Sequence, residues 1–255
     1  MRGKNIERWV SVLSPVVLTL VWEATAWLGL MDIRFFPAPS KILGAMWELS
    51  VSGELLQHTG ISLLRCLIGF AIGAVPGVVL GLTMGLFPLV RAAIWPLVGA
   101  LYPVPKIAIL PLVMLIFGIG ESSKWVIIAV GVFFPVLINS MAGVVGIEKI
   151  YHDVGRNFGA DHWNRYKTIA LPGALPMVIT GLRLAWGFAL LLIVAAEFLA
   201  AKSGLGFLIW QSWQTFAVEE MYVGIIVISL LGVVSFLVLD FAARLLVPWR
   251  PEGVA

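Results

Sequence analysis

Six long apolar runs, 12–30, 61–87, 92–117, 125–146, 175–201 and 222–247, limit what this chain can fold into more than any other feature. A hydrocarbon core about 30 Å thick takes about 20 residues of helix to cross. Inside lipid, every backbone donor and acceptor must be satisfied internally, which only helices and closed barrels achieve. The alternation of a membrane strand does not recur along the chain, so a barrel is disfavoured. The expectation is an all-α integral membrane protein, a single domain over residues 1–255 with about six transmembrane helices. Composition agrees, because only 12% of the 255 residues are charged and 60% are hydrophobic. A soluble domain carries about 25% charged residues.

The first run follows Arg2, Lys4 and Arg8 and contains Ala24-Thr25-Ala26, so it imitates a secretory signal with a small-residue cleavage site. Glu23 interrupts that site, and the run reads as a retained span. Phe35 to Ser40 then breaks the helix. Ser40 is expected to cap a new one, with Ile42, Leu43, Met46, Trp47 and Leu49 at helical spacing, lying along the membrane surface. In the second run Gly69, Gly73, Gly77, Gly81 and Gly85 recur every four positions and form one stripe, which lets another helix approach closely. Tyr102-Pro103-Val104-Pro105 is expected to unwind the third run just before Lys106. Cys66 is the only cysteine, so no internal disulfide exists.

Lysine and arginine placement sets orientation. With the N-terminus inside, that side collects Arg2, Lys4, Arg8, Arg91, Lys149, Arg156, Arg165, Lys167 and Arg250, while Arg34, Lys41, Lys124 and Lys202 stay outside. Both termini are then cytoplasmic, and so is the polar segment 147–173 between the fourth and fifth runs. That segment is far longer than the roughly 2–8 residues a helix connection needs. Its mixed charges and aromatics, Tyr151, Phe158, Trp163 and Tyr166, suit short amphipathic helices outside the bilayer. Gly155 and Gly159 can supply a sharp bend or a close backbone approach between them. Pro172 and Pro176 restrict entry into the next run. The physical picture is a rigid, partly apolar knob, suited to docking a partner and passing force to the helix that follows.

The segment resembles the cytoplasmic coupling motif of permease subunits of bacterial ABC importers: E-A-A, three residues, G, nine residues, I-x-L-P. Gly159 stands ten residues before Ile169, Leu171-Pro172 follow in register, and Asp153-Val154-Gly155 occupies the E-A-A positions, with a shortened acid and both alanines replaced. The likeness extends along most of the chain and points to the nitrate, sulfonate, taurine and bicarbonate branch, through Phe36-Pro37-Ala38-Pro39-Ser40, Ser62-Leu63-Leu64-Arg65, Phe117-Gly118-Ile119-Gly120-Glu121, Gly181-Leu182-Arg183, Ala195-Ala196-Glu197 and Ser203-Gly204-Leu205-Gly206. The resemblance implies a type I importer permease fold in a bacterial inner membrane. It also implies a second permease copy, two cytoplasmic ATP-binding subunits and an external solute-binding protein. Asp153, Val154, Gly155, Phe158, Gly159, Ala160, Ile169, Leu171 and Pro172 would couple the ATPase to a path for a small, anionic solute. ATP and magnesium would bind the partner, since the sequence contains no G-x-x-x-x-G-K phosphate cradle.

Charges inside apolar runs are costly and mark a pathway or a pair. Arg65, Lys106, Arg183 and Glu197 are the candidates for a substrate path or a buried charge. Arg65 and Glu197 lie near the outer ends of their runs and can pair, Asp240 and Arg244 sit four apart on one helix face, and Lys106 follows unwound backbone suited to a passing anion. Snorkelling of its stem toward the interface is the duller account of Lys106. His58 is expected at the outer surface. His152 and His162, each beside an aspartate, match no usual metal spacing, and no catalytic constellation stands out, so neither a metal nor an enzyme is expected. The alternative reading is a stand-alone ion-coupled secondary transporter, for which the long docking segment would lack a purpose.

Overall fold

The computed structural model describes residues 2–248, and among them regular structure is wholly helical. Arg250 of the charge count lies outside the described residues. In chain order the helices are α1 (Arg2–Trp27), α2 (Pro39–Val51), α3 (Glu54–Leu86), α4 (Pro88–Leu101), α5 (Leu110–Phe117), α6 (Glu121–Val145), α7 (Lys149–Asn157), α8 (His162–Arg165), α9 (Leu171–Ala200), α10 (Leu205–Gln214) and α11 (Val218–Leu246). A 3-10 turn over Lys106–Ile109 precedes α5, and a π turn over Tyr166–Ala170 joins α8 to α9.

Among the described residues, four helices are long and apolar enough to cross a bilayer: α3, α6, α11 and the continuous helix from His162 to Leu199 that takes in nearly all of α9. The run expected as one span over 92–117 is instead two pieces bent by 85°, and counting them as one raises the number to five. Pro103 and Pro105 lack the N–H groups that would continue the ladder, so the chain unwinds between Leu101 and Lys106. The apolar part of α1, Leu13–Trp27, is shorter than the span expected over 12–30.

Helices in lipid gain nothing from burying apolar surface against one another, so their association depends on how closely backbones approach. The glycine stripe of α3 provides that approach. A Cβ at Gly69 would stand 2.7 Å from Cβ of Ile128, and one at Gly77 would stand 2.9 Å from the Phe133 carbonyl oxygen. α6 is thereby clasped between α3 and α9, where Ile127, Ile128, Val132 and Val136 meet Ala185, Ala189 and Ile193 in the main core. α2 lies on α10 and α11, with Ile42 and Leu49 against Leu205, Leu208 and Val223. Ser40 does not cap α2, because Ala38 takes the cap position and Pro39 the first turn. Its hydroxyl donates instead to Glu23 at 2.7 Å, tying α2 to α1.

Candidate functional site

The elbow after α6 is built by three local rules. First, α7 ends in a Schellman motif. Gly159 takes the left-handed conformation at φ 70°, its N–H donates to the Arg156 carbonyl at 3.0 Å, and the Ala160 N–H donates to the Gly155 carbonyl at 2.9 Å. Second, Asp161 caps α8 by accepting the Asn164 N–H at 2.7 Å. The D-x-x-N spacing from Asp161 to Asn164 is the sequence signal of that cap. Third, α8 runs through the π turn into α9 as one helix, with Pro172 in the first turn of α9.

Gly155 is buried because a Cβ there would sit 2.6 Å from Cδ1 of Ile169, so two positions of the coupling pattern are in contact. Ala160 and Ile169 are partly buried, whereas Val154 and Leu171 are exposed. Phe158 at the tip is 86% exposed, with Ile150, Tyr151 and Trp163 also open beside it. Trp163 stacks on Tyr166, their ring planes 3° apart. Asp153 and His152 line a groove on the inner side of the elbow, while His162 packs near Phe87. Among the described residues no three His, Cys, Asp or Glu side chains gather as metal ligands.

At the far end of α3 lies a buried charge cluster. Arg65 is 4% exposed and donates Nη1 to Glu197 Oε1 at 2.7 Å and to the Ser203 carbonyl at 2.6 Å, while Nε and Nη2 hold Glu121, each at 2.6 Å. Glu197, with no exposure, also accepts from Ser62 Oγ at 2.8 Å and from the Gly206 N–H at 2.8 Å. His58 is half-buried rather than at the surface, its Nδ1 accepting the Gly204 N–H at 2.9 Å. The cluster ties the 201–206 turn to α3 and α6. Each charge in it is matched inside the protein, which makes Arg65 and Glu197 a brace between helices. Glu121, Ser62 and Ser203 escaped the spacing rules because their contacts join residues 56 to 138 positions apart.

Arg183 likewise holds α9 to α11, donating to Asp240 at 2.6 Å, and Asp240 keeps its i,i+4 partner Arg244 at 2.9 Å. Lys106 stands differently. Its ammonium donates to the carbonyls of Leu101, Tyr102 and Val104 at 2.9, 2.9 and 2.8 Å, so all three protons stopper the broken end of α4. Its charge lies 4.7 Å above the Phe134 ring. The same amine borders a cavity of about 320 Å³, lined also by Gly131, Pro135, Phe188 and Leu192. A fixed positive charge beside an apolar cavity attracts an anion through space without surrendering its own hydrogen bonds.

The described architecture is that of known transport proteins. A chain of the methionine ABC transporter MetNI, in inward-facing conformations, superposes with a TM-score of 0.55, covering 88% of this chain and 98% of that one at 19% identity, which establishes the fold. The putative aliphatic sulfonates transport permease protein SsuC of Bacillus subtilis is 32% identical over 97% of this chain and 90% of its own length. The taurine transport system permease protein TauC of Escherichia coli is 34% identical over 95% and 90%. The nitrate import permease protein NrtB of Leptolyngbya laminosa is 29% identical over 96% and 90%. Residues 77–250 match the family described as binding-protein-dependent transport system inner membrane component. With the elbow and the helical bundle in place, the chain belongs to that family, the permease subunits of ABC importers.

Proposed function

We propose that this permease works as two copies, each gripped at Asp153–Pro172 by a cytoplasmic ATP-hydrolysing subunit, and accepts a small anion from an external binding protein. The observation that carries the reading is Phe158, a large apolar side chain 86% exposed at the tip of a rigid elbow. Such a residue is costly in water and gains when it enters a partner's pocket. Gly159 shapes the tip, Gly155 and Ile169 lock its base, and Val154, Phe158, Ala160 and the flanking charges make the contact. Leu171 and Pro172 start α9, which carries the stroke. ATP and its magnesium belong to the partner, which puts the elbow and both termini on the cytoplasmic side of a bacterial inner membrane.

The cargo class follows from two supports. The solutes in the relatives' names share an anionic group, the sulfonate of aliphatic sulfonates and of taurine and the nitrate ion itself. Lys106 sets a fixed cation beside the cavity near the broken helix. Arg65, Glu197 and Arg183, matched by internal partners, brace the path rather than touch the solute. The test is uptake into proteoliposomes holding the permease, its ATPase and the cognate binding protein, over a panel of sulfonates, nitrate, bicarbonate and cationic controls. ATP-dependent uptake confined to anions is expected; uptake by the permease alone would make it a stand-alone carrier and end the proposal.

A further inference from the structure

Where α3 and α6 end, at Leu86 and Val145, the inner side of the elbow closes over a groove of about 310 Å³. Its ionisable lining is one-sided: Arg91, Lys149, Arg156 and Arg165 face a single carboxylate, Asp153, so four cations less one anion leave an excess of three positive charges with His152 neutral. None of these five forms an ion pair among the described residues. His152 Nδ1 and Arg165 Nε are buried without a hydrogen-bond partner. Buried polar atoms are normally satisfied, and an arginine nitrogen can only donate, so the orphaned Arg165 Nε beside unpaired cations marks a place where an acceptor belongs.

The depth of the groove says what kind of acceptor. α3 and α6 are long and apolar enough to cross a bilayer, and helices of that kind end near the level where hydrocarbon gives way to lipid phosphates. The remaining wall is made by the apolar ends of those helices, which an acyl chain can lie against and a free ion cannot use. We propose that the groove seats the phosphate of an anionic phospholipid, its oxygens taken by Arg91, Arg165 and the neighbouring cations. The lipid would then brace the base of the elbow from the membrane side, whichever partner holds Phe158 from the other.

Native mass spectrometry of the full chain in non-ionic detergent tests this, with phosphatidylglycerol, phosphatidylcholine and inorganic phosphate added separately and in competition. The wild-type chain is expected to retain phosphatidylglycerol in preference to phosphatidylcholine. Arg91→Gln with Arg165→Gln is expected to weaken that retention by about 30-fold, at about tenfold or less per charge. Lys149→Gln with Arg156→Gln, both exposed, should act in the same direction and guards against misfolding of the first variant. Retention at the wild-type level by both double variants, equal retention of phosphatidylcholine by the wild type, or displacement of the lipid by inorganic phosphate would each overturn the proposal.

Discussion

A glutamate without solvent access has to be matched atom by atom, and Glu197 meets that requirement through Arg65, Ser62 and the Gly206 N–H. Removing one partner of a buried ion pair strands the other, at a cost of about 3–5 kcal/mol. Glu197→Ala is therefore expected to lower thermal stability of the detergent-solubilised protein steeply. Exchanging the two charges should not restore it, because Ser62 and the Gly206 N–H need an acceptor at position 197 and an arginine is not one. Recovery of wild-type stability by the exchange would show that the pair acts alone. At the elbow, Gly159 has open space around it but a left-handed backbone, so Gly159→Val meets strain rather than collision, about 1–2 kcal/mol. The elbow is also expected to sense pH through His152. Burial and the nearby Arg165 and Arg156 hold this imidazole below the usual histidine range, with Asp153 offsetting part of the effect and Arg91 and Lys149 sharing the groove. An opened elbow then binds the proton more readily than a closed one, so closure weakens as pH falls through about 6.5. Hydrogen exchange over residues 149–170, corrected for intrinsic rate, should show faster opening at about pH 5.5 than at about pH 7.5 in the wild type and not in His152→Phe. The same difference in both proteins would assign it elsewhere.

Among the elements, the α3–α6 contact has the most direct sequence signature. Its glycines recur every four residues, and the backbone approach that such a stripe allows is present. Gly77→Ala is expected to cost about 1–3 kcal/mol through overpacking, whereas Gly44→Ala, with nothing within 4 Å in α2, should be neutral or mildly stabilising. Comparable melting shifts for the two variants would mean that the stripe is not the contact that holds the helices. The break before Lys106 was legible from two prolines, but its angle was not, because the direction of α5 depends on the packing of Lys106 and its neighbours against α6. Ser40 shows the opposite failure. Its residue type fits a cap, yet Pro39 fits the first turn better and a carboxylate 17 residues upstream claims the hydroxyl. Local chemistry is readable where the deciding partner is a few residues away, as in the Gly159 turn. It is not where the partner comes from another helix, as for Glu121 on Arg65 or Asp240 on Arg183.

In the molecule as a whole, a cation beside a cavity and an elbow with an apolar tip are joined by the helix from His162 to Leu199, which reaches the cavity through Phe188 and Leu192. Lys106→Met is expected to lower anion uptake on the order of tenfold, the size of a local attraction, while the assembled complex still hydrolyses ATP. Lys106→Arg keeps the charge and should retain part of the uptake, although its planar fork cannot reproduce the three-carbonyl stopper. Loss of ATP hydrolysis together with uptake would instead indicate collapse of the broken helix. Capture of the elbow by a separate motor protein can be read by placing a photo-cross-linking residue at Phe158 in membranes that also contain the partner subunits. An adduct with the ATP-hydrolysing subunit, weakened by Gly159→Val, is the expected result; a tip that labels only lipid or the external binding protein would contradict the account.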